Sequence, residues 1–250
     1  MHRILLAGEA SMVDEFASAL RAGGSDVLIP KSLARPSGRV DAALELTVPG
    51  STEKASALAA LDRLPGEVPL FTSTLAVTLL EQSPWVKHRE RLAGIGAYPG
   101  VLAGGLIEFA LPSAYSPSLR EAAEALAQAL GKEAAFVQDL PGMVLPRIRC
   151  MLTNEACFAL AEQIASAPDI DLAMKLGTNY PSGPLAWGEQ FGLANVLAVI
   201  EALHRWYGEE RYRPAPLLRR AAPLGSIAAA MAGPGGTAEE GGTRREKPGK

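Results

Sequence analysis

The 250-residue chain has few cysteines and few histidines. Its two cysteines, Cys150 and Cys157, are seven positions apart, which on a helix places them on one face about 10 Å from each other. That separation is too long for a disulfide, so we expect reduced thiols, as in cytoplasmic proteins. The chain has only three histidines, and no cluster of metal-ligating residues is predicted.

Neither the charge nor the hydropathy of the chain indicates a nucleic acid or a membrane as its partner. The formal net charge is −3, which does not favour a nucleic-acid surface. No uninterrupted apolar run reaches the ~18 residues of a membrane span. The stretch 1–8 has about five apolar residues before Glu9, which predicts a strand rather than a signal peptide. We therefore expect a cytoplasmic protein.

Strand and helix patterns alternate through the first half of the chain, which predicts a mostly parallel sheet. The opening strand–helix–strand is typical of a nucleotide-binding fold. The predicted strands are 3–8, 26–30, 41–48, 68–72, 92–97, 106–111 and 134–138. The predicted helices between them are 12–22, 52–64, 74–80 and 116–130, the last one capped by Ser116.

After Pro141 the pattern predicts helices only. They are 144–164, a helix that begins at 166–169 and ends before Gly177, 184–191, and 194–207. The predicted fold class is therefore α/β followed by all-α, with a Rossmann-like domain at 1–139 and a helical domain at 140–222. We expect 223–250 to be a disordered tail, since from Gly233 onward no apolar residue is larger than alanine.

Five separated motifs stand in the second half of the chain. They are DLPGMVLPR at 139–147, NEA at 154–156, DIDLAMKLG at 169–177, YPSGP at 180–184 and RYRP at 211–214. In this order they resemble the C-terminal helical domain of the 3-hydroxyacyl-CoA dehydrogenases. The match spans about residues 136–220. The resemblance implies an NAD-binding Rossmann-like domain, an acyl-CoA substrate and a homodimer formed through the helical domain.

The first strand–turn–helix is where a dinucleotide would place its pyrophosphate. The glycine fingerprint of such a turn, G-x-G-x-x-G, is represented by Gly8 alone, because Ala10 and Val13 occupy the other two glycine positions. The resemblance implies that Gly8, Met12 and Glu45 contact the cofactor. For Glu45 the alternative is a charge at a strand end that faces solvent.

Acidic residues surround the predicted start of this first helix. Glu9, Asp14 and Glu15 suit the helix dipole without a ligand, and they would repel a pyrophosphate. At the end of the second strand, where an acid usually binds the ribose hydroxyls, the chain has Lys31 after a proline. Two interpretations stay open, a nucleotide fold that binds nothing and an altered, weaker cofactor site assisted by a partner.

In the family a His–Glu dyad performs the chemistry, with the histidine as general base and the glutamate orienting it. The glutamate matches Glu108, but the histidine position, twelve residues earlier, is Gly96. His88 lies in a charged stretch and is expected on the surface. If Glu108 is buried, we expect it to be protonated or bonded to Ser73 or Thr74.

A family serine that contacts the substrate oxygen resembles Ser73, for which the alternative is a helix N-cap after the strand. The family asparagine at the turn into the helical domain falls at Pro146, which has no side-chain hydrogen-bonding group. The resemblance thus leaves Glu108 and Ser73 as the candidate catalytic residues.

The function implied by the resemblance is NAD-dependent oxidation of a 3-hydroxyacyl-CoA, impaired or altered because the catalytic histidine, the asparagine and two fingerprint glycines are absent. A first alternative is a non-catalytic dimeric binding or scaffold protein derived from the family. A second alternative is a different enzyme that uses Glu108 and Ser73 for other acid–base work.

Overall fold

Short apolar segments form the central sheet of the protein. The computed structural model describes residues 2–33, 39–113, 115 and 117–232, so the predicted cap Ser116 and the part of the predicted tail from 233 lie outside the described residues. Within the described residues the strands are β1 (Arg3–Gly8), β2 (Asp26–Leu28), β3 (Ala42–Leu46), β4 (Leu70–Ser73), β5 (Leu92–Ile95), β6 (Leu106–Ala110) and β7 (Glu133–Val137). They form one sheet in the order β2-β1-β3-β4-β5-β6-β7.

The direction of the strands changes once across the sheet. Strands β1 to β5 are parallel, β6 runs antiparallel to β5, and β7 is parallel to β6. The predicted mostly parallel sheet is confirmed, together with the α/β-then-helical fold class. The reversal at β6 was not predicted, and it brings the middle of β6 beside the end of β5.

In the part of the chain that the structure describes, four α-helices accompany the sheet. They are α1 (Ala10–Ala22), α2 (Thr52–Leu61), α3 (Leu79–Gln82) and α4 (Pro117–Ala129). The prediction of a helix over 74–80 was wrong at both ends. Thr78 forms a capping box with Glu81 and so begins the helix only at Leu79.

The second half contains helices α5 (Leu145–Ala161), α6 (Ala167–Thr178), α7 (Pro184–Phe191), α8 (Leu193–Tyr207), α9 (Pro216–Ala221) and α10 (Ile227–Ala232). The prediction that Gly177 ends α6 was wrong. The helix continues to Thr178, and Asn179 adopts the left-handed conformation at its end. The predicted tail begins too early, since Ile227 and Ala230 are buried within α10.

The two halves meet at the turn 139–144 and at one aromatic cluster. The Gly142 N–H donates to the carbonyl of Leu75 at 2.7 Å. The ring of Tyr98 lies 6.0 Å from Trp187 and 4.9 Å from Phe191, measured between ring centroids. Within the described ranges, no helix combines the length and the hydropathy that a membrane crossing requires.

Candidate functional site

Strand register brings Ser73, Gly96 and Glu108 together where β4, β5 and β6 adjoin. Ser73 is paired with Ile95 across β4 and β5. The Gly96 N–H donates to the Glu108 carbonyl at 2.8 Å. The hydroxyl of Ser73 is buried and donates to the carbonyl of Ala97 at 3.3 Å. The alternative that Ser73 caps a helix is therefore wrong, and the cluster forms a candidate active site.

The buried carboxylate of Glu108 is bonded to the backbone of the helical half. Its Oε2 accepts the Val144 N–H at 3.0 Å and its Oε1 accepts the Leu145 N–H at 2.9 Å. The prediction of a bond between Glu108 and Ser73 or Thr74 is therefore wrong. The first N–H groups of a helix lack intrahelical acceptors, and α5 begins directly over this carboxylate.

Met143 covers Gly96, the position of the family histidine. A Cβ atom added at Gly96 would lie 3.1 Å from Met143 Sδ and 3.3 Å from Glu108 Cβ. Met143 is itself buried with a φ of 51°, a conformation that costs a non-glycine residue roughly 1 kcal/mol. The cavity that remains beside Gly96 is about 10 Å³, about the minimum for one water. The place of an imidazole is therefore filled.

Tyr98 and Pro146 also line this small cavity. Burial raises the pKa of Tyr98 to about 12, so its phenol is protonated at neutral pH. Pro146 is buried in the first turn of α5, where it contributes shape but no hydrogen-bond donor. The sequence analysis did not predict Tyr98 or Met143 as site residues. For Tyr98, its position two residues after Gly96 could have indicated that it lies at the site.

His88 does not take over the role of the missing base. Its side chain is 49% exposed, and its Nδ1 lies 3.5 Å from a carboxylate oxygen of Glu90. The expectation that His88 is a surface residue is confirmed.

Glu45 is fully buried, so the alternative of a solvent-facing charge is wrong. Its Oε2 pairs with Lys54 Nζ and accepts the Thr72 hydroxyl at 2.9 Å. Lys54 also donates to the Thr47 carbonyl at 2.7 Å, and burial lowers the pKa of its amine. Helix α2 places Lys54 here because Ser51 accepts the Lys54 N–H and so begins the helix beneath Glu45. A contact of Glu45 with a cofactor stays a prediction.

Gly8 is required by packing at the first turn. Its φ is +127°, and an added Cβ would lie 2.6 Å from the backbone carbon of Leu46. Met12 is fully buried in the core, which leaves its backbone as the part that a cofactor could contact. The backbone conformation and the packing therefore require glycine at position 8 with or without a ligand.

The start of α1 fits the pyrophosphate of NAD poorly. Glu9 occupies the N-cap position with an exposed side chain, and Ser11 donates to it at 3.4 Å. A carboxylate there opposes an anion at the helix N-terminus. Glu15, by contrast, accepts the N–H groups of Gly100 and Leu102 at 2.8 and 3.1 Å and holds the loop that carries Tyr98.

Comparison with known proteins gives a consistent set of relatives. The family model for the 3-hydroxyacyl-CoA dehydrogenase C-terminal domain matches residues 142–233. A 3-hydroxyadipyl-CoA dehydrogenase of Escherichia coli K12 is 45% identical over 125 residues, which are 50% of this chain and 26% of that protein. A 3-hydroxybutyryl-CoA dehydrogenase of Clostridioides difficile is 31% identical over 182 residues, 72% of this chain and 65% of that protein. The chain spans less than two thirds of the length of either relative.

Among solved structures, the (S)-3-hydroxybutyryl-CoA dehydrogenase of Ralstonia eutropha is similar over nearly the whole chain. The two structures superpose with a TM-score of 0.74 at 26% sequence identity. The superposition covers 90% of this chain and 94% of the Ralstonia eutropha chain. The likeness thus extends through the N-terminal sheet as well as the helical half.

Proposed function

This chain belongs to the 3-hydroxyacyl-CoA dehydrogenase family, and on that premise we propose that it is a dehydrogenase-like oxidoreductase for 3-hydroxyacyl-CoA thioesters with impaired turnover. The observation that carries the proposal is the junction of β4, β5 and β6, where Ser73 and Glu108 adjoin the backbone of Gly96. The substrate oxygen would lie at this junction, and the Ser73 hydroxyl would have to leave the Ala97 carbonyl to donate to it.

The impairment follows from what the site residues do in place of proton transfer. Oxidation of a hydroxyl needs a base that removes its proton as the hydride leaves, and NAD is the hydride acceptor that the family implies. Gly96 has no proton acceptor, and both oxygens of Glu108 are engaged by backbone N–H groups. The poor fit of the α1 turn to a pyrophosphate weakens NAD binding in addition.

The test is to mix the protein with NADH and acetoacetyl-CoA, follow the absorbance of NADH, and titrate NADH by fluorescence in parallel. We expect weak NADH binding and turnover at least about a hundredfold below that of a relative with an intact dyad, since a positioned base contributes about 10²–10⁴. Turnover equal to the relative's would contradict the impairment. Absence of binding by both ligands would exclude the oxidoreductase.

A second candidate is a non-catalytic, acyl-thioester-binding dimer. It is favoured by Met143, which fills the space beside Gly96, and by the use of Glu108 as a tie between the two halves. Calorimetry separates the two functions, because a binding protein would take up acetoacetyl-CoA with no change on addition of NADH and with no turnover.

We infer that the dimer forms through the helical half. Helix α6 has no buried residue in the single chain, and it exposes Leu172 and Leu176 at 52% and 78%. Two large apolar side chains one helical turn apart form a surface that a partner would cover. A second copy of this chain would cover the exposed face of α6 with its own α6, in a self-complementary contact.

A further inference from the structure

Leu145 lines two neighbouring spaces at the start of α5. One is the small cavity beside Gly96 and Glu108, and the other is a groove of about 140 Å³ between α5 and α7. The α5 residues of the groove are spaced at three and four, so they form one helix face. The groove is lined by Leu145, Ile148, Arg149, Leu152, Tyr180 and Trp187, with the corner between Tyr180 and α7. The groove and the small cavity therefore adjoin at Leu145.

Arg149 is the charged residue of this mostly apolar groove, whose lining also includes Tyr180 and Ser182. It is half-buried, and its guanidinium carbon lies 5.1 Å from the centre of the Trp187 ring. None of the ion pairs formed by the described residues involves Arg149. Arg147, two residues earlier, donates to the hydroxyls of Tyr207 and Tyr212. Arg149 thus keeps its donors for an anion, which a guanidinium binds through two parallel hydrogen bonds.

We propose that the groove binds the chain of an acyl thioester that ends in a carboxylate, and that Arg149 pairs with this terminal carboxylate. The proposal rests on the proposed function, because the thioester end has to lie at the Ser73–Glu108 junction. The groove, at about 140 Å³, is many times larger than the ~10–15 Å³ that one water needs, so it has room for a short acyl chain. That size suits a short dicarboxylic acyl chain.

The same geometry supplies specificity between two chains of equal length. A chain that ends in a methyl group would desolvate Arg149 without giving it a partner, which is costly for a charged donor. A terminal carboxylate restores the lost hydrogen bonds with charge assistance. Arg149 therefore acts as a specificity-determining residue rather than as a catalytic residue.

The test compares matched coenzyme A thioesters by calorimetry. Succinyl-, glutaryl- and adipoyl-CoA are each titrated beside butyryl-, pentanoyl- and hexanoyl-CoA. We expect the full-length protein to bind at least one dicarboxylic member about tenfold more tightly than its partner. Arg149→Leu should abolish this preference, and Arg149→Lys should retain part of it. Arg219→Leu removes an exposed cation of the same half and should leave the preference unchanged.

The outcomes separate the inference from the proposed function. A preference that depends on Arg149, found in a protein that neither binds NADH nor turns over thioesters, would support the acyl site and overturn the oxidoreductase. Turnover without a chain-end preference, or a preference that survives Arg149→Leu, would overturn the acyl site alone. If no thioester binds to the protein, the inference is wrong.

Discussion

The carboxylate of Glu108 accepts the backbone N–H of Leu145 at 2.9 Å and so ties strand β6 to the first turn of helix α5. A second bond from Val144 completes this contact between the two halves of the chain. In this protein the residue that matches the orienting acid of a catalytic dyad therefore stabilises the junction. The same two bonds explain why a glycine at the histidine position leaves Glu108 fully hydrogen-bonded.

Glu108→Gln tests this tie. The amide keeps only one acceptor oxygen and loses the charge, so we expect the free energy of unfolding to fall by about 1–3 kcal/mol. Urea denaturation measures the change. Glu124→Gln is the matched control, because Glu124 is exposed on α4 and pairs with Arg120 at the surface. An effect at Glu108 no larger than the effect at Glu124 would mean that the two bonds contribute little.

Gly96→His tests whether Met143 occupies the place of the missing base. The added side chain meets Met143 Sδ and Glu108 Cβ, so the single variant should lose about 1–3 kcal/mol of stability. With Met143→Ala in the same chain the imidazole gains room, and the double variant should be more stable than the two single changes predict by addition.

The same double variant, assayed at saturating NADH, should reduce acetoacetyl-CoA about a hundredfold faster than the wild type, because the imidazolium can donate the proton that the carbonyl oxygen takes up in this direction. Gly105→His is the control, since nothing lies within 4 Å of an added Cβ there. Equal rates in all variants would indicate that the cofactor site, and not the base, limits turnover.

The buried pair of Lys54 and Glu45 gives a strong prediction for stability. Lys54→Met leaves the Glu45 carboxylate buried without its cation, which should cost about 3–5 kcal/mol. Lys54→Met combined with Glu45→Leu removes both charges and should recover most of that loss. Arg120→Met breaks an exposed pair for comparison and should cost less than about 1 kcal/mol. Unfolding in urea distinguishes these cases, and additive losses in the double variant would refute the coupling.

Both thiols should be inert in the folded protein. Burial raises the pKa of Cys150 and of Cys157, the latter to about 12, so little thiolate exists at pH 8. We expect no reaction with dithiobis(nitrobenzoate) in buffer and two reacting thiols in denaturant. Rapid labelling of the native protein at pH 8 would show that one of the thiols is accessible.

The raised thiol pKa also predicts how stability depends on pH. An acid whose pKa is higher in the folded state favours folding while it is protonated. This contribution is complete below the unfolded value of about 8.5 and is lost as the pH rises toward about 12. The free energy of unfolding should therefore decline above pH ~8.5. A chain with Cys150→Ala and Cys157→Ala should decline less steeply, and equal slopes would contradict the prediction.

Helix α6 supplies the test of the dimer. Leu172→Glu and Leu176→Glu place charges on the exposed apolar face and should shift the protein to monomers in sedimentation equilibrium. Glu124→Lys changes the charge at an exposed position of α4, in the other half of the chain, and should leave the assembly intact. A wild-type protein that sediments as a monomer would exclude the proposed interface.

The sequence by itself determined the strands and most of the helices, because period, capping residues and glycines act over a few neighbouring residues. Ser166 capping α6 and the apolar run of β1 are such local signals. The order of its C-terminal motifs indicated the family, and the local resemblance around Gly96 and Glu108 indicated that the catalytic base is absent.

Only the tertiary structure decided what each candidate side chain touches. Glu45 meets Lys54 because α2 packs beneath β3, and Glu108 meets Leu145 because β6 reverses direction beside β5. Both contacts depend on strand register and on helix placement, which local patterns do not contain. A carboxylate predicted to contact the cofactor, or in the alternative to face solvent, is therefore buried in an ion pair, and one predicted to act in catalysis joins the two halves of the chain.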